Sequence, residues 1–158
     1  MLYTLARQYI HLLEGVVSSR VLFLCTQNSC RSQMAEALLR LRFGDRYEAF
    51  SAGTNPSRVN PWAIRVMAEL GADMSGQVSE HLDRYLGQSF DVVVTTCDSA
   101  AETCPVFPGA AKTIHRGFDD PAAAVGSDTA ILAAFRQVRD EIDAWIRATF
   151  DPDSKDAA

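Results

Sequence analysis

The chain has 158 residues, of which 47% are apolar and 22% charged, and 15 basic against 20 acidic side chains leave a net charge of −5. This is the length and composition of one globular domain. It lacks the apolar run of about 18 residues that a membrane span needs, and the positive excess that would suit nucleic acid or an anionic membrane. Four cysteines, Cys25, Cys30, Cys97 and Cys104, follow no secretory signal. They predict a reducing, cytoplasmic setting in which thiols more often react or bind metal than staple a fold.

Residues 1–19 place Leu2, Leu5, Tyr9, Leu12, Leu13 and Val16 at helical spacing, broken by Arg7, Gln8, His11 and Glu14. An amphipathic helix is expected there. Its apolar stripe would pack on the domain, meet a second copy of an otherwise monomeric chain, or reflect only the choice of start site. Residues 20–25 (RVLFLC) read as a buried parallel strand and 32–43 as a helix with Met34, Leu38, Leu39 and Leu41 on its apolar side. A second strand is expected over 47–52, closed by Gly53 and the turn-rich stretch 54–61. Pro61 suits the first turn of a helix running to about residue 70, stopped by Gly71, and 79–86 predicts another short helix. The run FDVVVTT over 90–96 reads as a central strand and 112–115 as a shorter one. Ile131, Leu132, Phe135, Val138, Ile142 and Ile146 then predict a long helix over 127–150, capped by Ser127 or Asp128, before a polar tail at 151–158. Strands alternating with helices over 20–150 imply a doubly wound, parallel α/β domain with its site at the carboxyl ends of the strands.

The loop after the first strand is Cys25-Thr26-Gln27-Asn28-Ser29-Cys30-Arg31-Ser32, and it leads straight into a helix. A loop wrapped at a helix N-terminus turns backbone N–H groups inward, where the helix dipole also favours negative charge. Arg31 adds a planar double donor for a tetrahedral oxyanion. A cysteine at the base of such a cradle is held as thiolate by the same groups, and Ser32 is placed to donate to it. Cysteine six residues before arginine is a weak signal by spacing alone, and a cysteine at a strand end is often only a small apolar residue. The strand before and the helix after give it weight.

The segment VLFLCTQNSCRSQMAEALL resembles the catalytic loop and first helix of the low-molecular-weight tyrosine phosphatase superfamily, and more closely the thioredoxin-coupled arsenate reductases of that fold. The likeness continues through FSAGTNP, VNPWAI, FDVVVTTCDSAAETCP and HRGFDDPA. It implies a three-layer domain with a four-stranded parallel sheet flanked by helices, to which 1–19 would be an addition. Cys97 and Cys104 lie seven positions apart, about 10 Å along a helix, so a disulfide between them would require that segment to unwind. The resemblance implies that Cys25 attacks arsenate held by the loop and Arg31. Asp120, next to Pro121, would be the general acid, although the sequence alone leaves Asp119 open. Cys97 would then form a disulfide with Cys25 as arsenite leaves, and Cys104 would draw that disulfide onto Cys97 for thioredoxin to reduce. No tightly bound cofactor is implied. Some relatives bind potassium; Asn28, Glu36 and Ser51 match that set, while Val78 and Glu80 stand where threonine and aspartate are expected.

Three other readings compete. Zinc on the four thiols is disfavoured by the wide second spacing and by Arg31, and His11, His81 and His115 have no ligand spacing. A phosphotyrosine phosphatase acting through a Cys25 phosphoenzyme wants an aromatic wall, but Ala122, Ala123 and Ala124 follow Pro121 and 54–60 holds no aromatic residue. A non-catalytic oxyanion or redox sensor would not need nucleophile, arginine and acid together.

Overall fold

The computed structural model describes residues 18–97 and 106–154. Four strands, β1 (Ser19–Cys25), β2 (Tyr47–Gly53), β3 (Phe90–Thr95) and β4 (Ala110–His115), form one parallel sheet in the order β2-β1-β3-β4. Its helices are α1 (Arg31–Phe43), α2 (Pro61–Ala68) and α3 (Asp128–Phe150), with short 3-10 turns at Leu82–Tyr85 and Pro121–Ala123. None is long and apolar enough to cross a membrane among the described residues.

The continuous apolar run in β1 follows from burial on both faces. Val21 and Phe23 join one core with residues of α1, α2 and α3, whereas Leu22 and Leu24 join a second with Tyr85, Phe90 and Phe107. Successive strand side chains point to opposite faces, so a strand covered twice must be apolar at every position. Among the described residues all three helices pack on the first face, and the Leu82–Tyr85 turn covers the second. Helix α1 is buried from Arg31 through Leu39 except at Glu36, because α3 lies across it. Asp143 of α3 grips Arg42 of α1 with two contacts of 2.9 Å.

The expected elements appear with shifts at their ends. Asn60 caps α2 by accepting from the Trp62 N–H at 2.9 Å, and Ser127 caps α3 by accepting from Ala130 N–H at 3.2 Å. Over 79–86 the expected helix shrinks to the Leu82–Tyr85 turn. Here Glu80 accepts from the Gly53 N–H at 2.9 Å and His81 bridges to Gly53, so the chain before Leu82 is spent as an extended partner of β2. Of the predicted 1–19 helix, residues 1–17 lie outside the described residues, and Ser19 already belongs to β1.

The chain passes from β1 to β2 on one side and from β3 to β4 on the other. Adjacent β1 and β3 therefore flank the point where the strand order reverses, and a crevice at their carboxyl ends is the favoured ligand position in such sheets.

Candidate active site

Cys25 closes β1 at this reversal point, and the loop after it is shaped by where its carbonyls go. Thr26 accepts from Asn55 N–H (2.8 Å), Gln27 from Ser57 N–H (3.2 Å) and Ser29 from Asn60 N–H (3.0 Å). Asn28 accepts from the Gln33 side chain (3.1 Å), and Cys30 from Met34 N–H (2.8 Å). Five consecutive carbonyls are thereby held on the outside of the loop. The amides of Gln27, Ser29 and Cys30 have no partner among the described residues. A run of unspent amides at a helix N-terminus, here that of α1, is an anion cradle.

Asn28 has φ of +48°, a left-handed conformation that asparagine tolerates better than most residues. This turns its N–H onto Cys25 Sγ at 3.0 Å, and Ser32 Oγ lies 2.8 Å from the same sulfur. Asn28 Nδ2 donates to Ser32 Oγ at 2.9 Å, and Asn28 and Ser32 are both wholly buried. Gly53 is also required, because a Cβ there would press on the Thr26 carbonyl oxygen and the Asn28 nitrogen. Thr26 Oγ1 is a buried hydroxyl without a partner among the described residues, at the edge of the cradle.

Arg31 is 5% exposed. Its Nη1 donates to the Phe118 carbonyl at 3.2 Å, and its Nη2 lies 3.9 Å from Asp120 Oδ2. Asp120 is the N-cap of the Pro121–Ala123 turn, accepting from the Ala122 N–H at 3.0 Å, and its side chain is 40% exposed. Asp120, rather than exposed Asp119, is thus the carboxylate brought to the arginine. Cys30 is different in kind from Cys25. Burial pushes its thiol up to about 12, against a smaller opposing effect from the Ser29 hydroxyl, so it stays protonated at neutral pH.

Cys97 is buried two residues past the end of β3. Leu24 pairs with Thr95, and Thr96 donates to the Leu24 carbonyl through both its N–H (2.8 Å) and its hydroxyl (3.0 Å). The two strands therefore run in register up to the site, and Cys97 follows β3 one residue beyond the level of Cys25. Cys104 lies outside the described residues.

The oxygens expected of a potassium site already have partners. Glu36 Oε1 is held by Arg40, Oε2 accepts from the Ser51 hydroxyl, and Asn28 Oδ1 accepts from Glu80 N–H (2.8 Å) and Gln33 Nε2 (2.9 Å). Burial raises the Glu36 carboxyl above its ordinary value, with Ser51 and Arg40 acting the other way. Val78 is exposed and its side chain has no oxygen to offer, so this donor set does not fit a cation. No group of three metal-binding side chains occurs among the described residues. Sequence reasoning missed Gln33, Gln77 and the close approach at Gly53. A glutamine directly before the apolar residues Met34 and Ala35 of α1 was the one signal available for Gln33.

Residues 20–156 match the family described as low molecular weight phosphotyrosine protein phosphatase. An arsenate reductase from Halalkalibacterium halodurans is 49% identical over 122 residues, covering 77% of this chain and 88% of its own. An arsenate reductase solved in a phosphate-binding state superposes with a TM-score of 0.70 at 31% identity, covering 82% of this chain and 94% of that one. The thioredoxin-dependent arsenate reductase of Corynebacterium glutamicum superposes with a TM-score of 0.58 at 27% identity, covering 91% and 69% respectively.

Proposed function

The chain belongs to the low molecular weight phosphotyrosine protein phosphatase family, and on that premise we propose that it reduces arsenate to arsenite at the expense of thioredoxin. The observation that carries this beyond phosphate-ester hydrolysis is Cys97, buried just past the carboxyl end of the strand that neighbours the one Cys25 closes. Hydrolysis needs one thiol and an acid. A two-electron reduction needs a second thiol within reach of the first, and a relative 49% identical over 122 residues, 77% of this chain and 88% of its own, is named arsenate reductase.

Arsenate enters the cradle with its oxygens on the loop amides and on Arg31. The Cys25 thiolate attacks arsenic, and Asp120 gives a proton to the departing oxygen, which leaves as water. Cys97 thiolate then attacks Cys25 sulfur. As the new S–S bond forms, the electron pair of the S–As bond stays on arsenic, which becomes As(III) and leaves as arsenite. Cys104 attacks Cys97 sulfur and frees Cys25 as thiolate, and the dithiol of thioredoxin reduces the resulting Cys97–Cys104 disulfide. The electrons balance, two from thioredoxin for two accepted by arsenic.

The test is NADPH oxidation coupled through thioredoxin reductase and thioredoxin. Consumption that requires arsenate and disappears in Cys25→Ser is the expected result. Hydrolysis of an aryl phosphate with no arsenate-dependent consumption would assign the chain to the phosphatase branch instead.

A further inference from the structure

Beyond β4 the chain turns toward the cradle through three residues, each held by a different contact. The Arg116 N–H donates to the Thr95 carbonyl at 2.9 Å, which carries the attachment to β3 one residue past His115. The Gly117 carbonyl accepts from Arg116 Nη1. The Phe118 carbonyl accepts from Arg31 Nη1 at 3.2 Å, and two residues later Asp120 Oδ2 lies 3.9 Å from Arg31 Nη2. One short stretch of chain therefore supplies a partner to each terminal nitrogen of the buried arginine.

The side chain of Phe118 anchors that stretch. It is 2% exposed and meets Trp145 of α3 edge-on, with ring centroids 6.0 Å apart at 72°. Trp145 in turn meets Phe150 at 5.7 Å, so the anchor reaches the core. The Arg116 guanidinium carbon lies 4.5 Å from the centre of the Phe118 ring. Arg116 is exposed, and a surface arginine is ordinarily solvated and freely replaced. Here its guanidinium folds back on the next carbonyl and on an aromatic face, where the negative face of the ring attracts a weakly hydrated cation. A carbonyl holds an arginine in one orientation only as firmly as the carbonyl itself is held.

We infer that Arg116 and Phe118 are positioning residues for oxyanion binding. The Arg116 guanidinium clamps the Phe118 ring, the ring fixes the Phe118 carbonyl, and that carbonyl sets the Arg31 guanidinium before any anion arrives. An arginine oriented in advance loses less freedom on binding, so its contacts contribute more to affinity. Arg116 thus acts on the anion through the Phe118 ring and not through its own charge. The inference rests on Arg31 binding the oxyanion, as proposed above.

The experiment is a calorimetric titration of inorganic phosphate into the full chain. Arg116→Met should weaken binding by about threefold to tenfold. Phe118→Leu should weaken it at least as much, and the double substitution no further, because contacts acting in one line are not additive. The loss in Arg116→Met should persist from about 0.05 M to about 0.5 M salt, since a contact at the ring is screened far less than a distant charge. In arsenate turnover KM should rise by the same factor while kcat stays within about twofold. Arg116 is exposed, so Arg116→Met keeps the fold even where Phe118→Leu does not, and a thermal melt verifies this. Unaltered phosphate affinity in Arg116→Met, additive losses in the double substitution, a loss that vanishes in high salt, or a fall in kcat at constant KM overturns the inference while leaving Arg31 as ligand. An unaltered chain that binds no phosphate at millimolar concentration overturns both.

Discussion

Two cysteines five positions apart differ in surroundings, because one receives hydrogen-bond donors while desolvation by burial dominates the other. Cys25 receives the Asn28 N–H and lies against the Ser32 hydroxyl, whereas burial pushes Cys30 up to about 12. Cys30→Ala should therefore keep most arsenate-dependent turnover, and a loss beyond about threefold would contradict its inert role. Ser32→Ala removes a hydrogen bond to a charged group, worth about 1.5–3 kcal/mol, so turnover should fall about tenfold to a hundredfold. Wild-type kcat in that variant would remove Ser32 from the account. At this scale the sequence was most legible. Cys25, Asn28, Arg31 and Ser32 are near one another in the chain, so spacing alone brings them to one loop. Gln33 and Gln77 are 44 positions apart and meet only because the fold brings the chain before Glu80 alongside β2 and the loop, which no local pattern records.

Elements are joined at the site by contacts that leave little slack. The end of β2 passes so close to the loop that Gly53 has no room for a Cβ. Gly53→Ala should displace Thr26 and Asn28 and weaken phosphate or arsenate binding, with the loss read as raised KM and a smaller change in melting temperature. Farther out, Asp143 joins α3 to α1. Burial alone would raise its carboxyl, but Arg42 and Arg147 overcome this and hold it below its ordinary value. A carboxyl depressed in the folded state stabilises above its unfolded value and loses that contribution as pH falls through the folded one. Thermal melts should show Asp143→Asn less stable than the unaltered chain at about pH 7, with the gap closing below about pH 4. A gap that persists in acid would mean that packing, not charge, is lost. Strand and α-helix identities were readable at every described strand and α-helix; the Pro121–Ala123 turn carried no expectation, and 79–86 was read as a helix. There the local pattern is helical, yet pairing of Glu80 and His81 with Gly53 overrides it. The near-complete burial of α1 was likewise hidden, since only the packing of α3 across it determines how much is covered.

Taken whole, the molecule sets the two thiols of the proposed first disulfide at the reversal point of the sheet, with Cys25 closing one strand and Cys97 following the next. A buried first disulfide has to be handed outward before another protein can reduce it. Cys97→Ser should load arsenate and release little arsenite, while Cys104→Ser should give at most about one arsenite per enzyme and then stall. Sustained thioredoxin-driven turnover in Cys104→Ser would end the relay scheme. The parallel architecture was foreseeable from strands alternating with helices, but which strands are neighbours was not, because order in a sheet is set by crossovers rather than by local sequence. One feature of the cradle also bears on how freely this chain can drift. Its outer wall is main chain meeting main chain, with Asn55, Ser57 and Asn60 each lending an amide to a loop carbonyl. Side chains at 55 and 57 can be exchanged with little effect on the cradle, but proline at either position deletes the hydrogen being lent. In a saturation library selected for arsenate resistance, those two columns would be permissive to nearly every residue and closed to one.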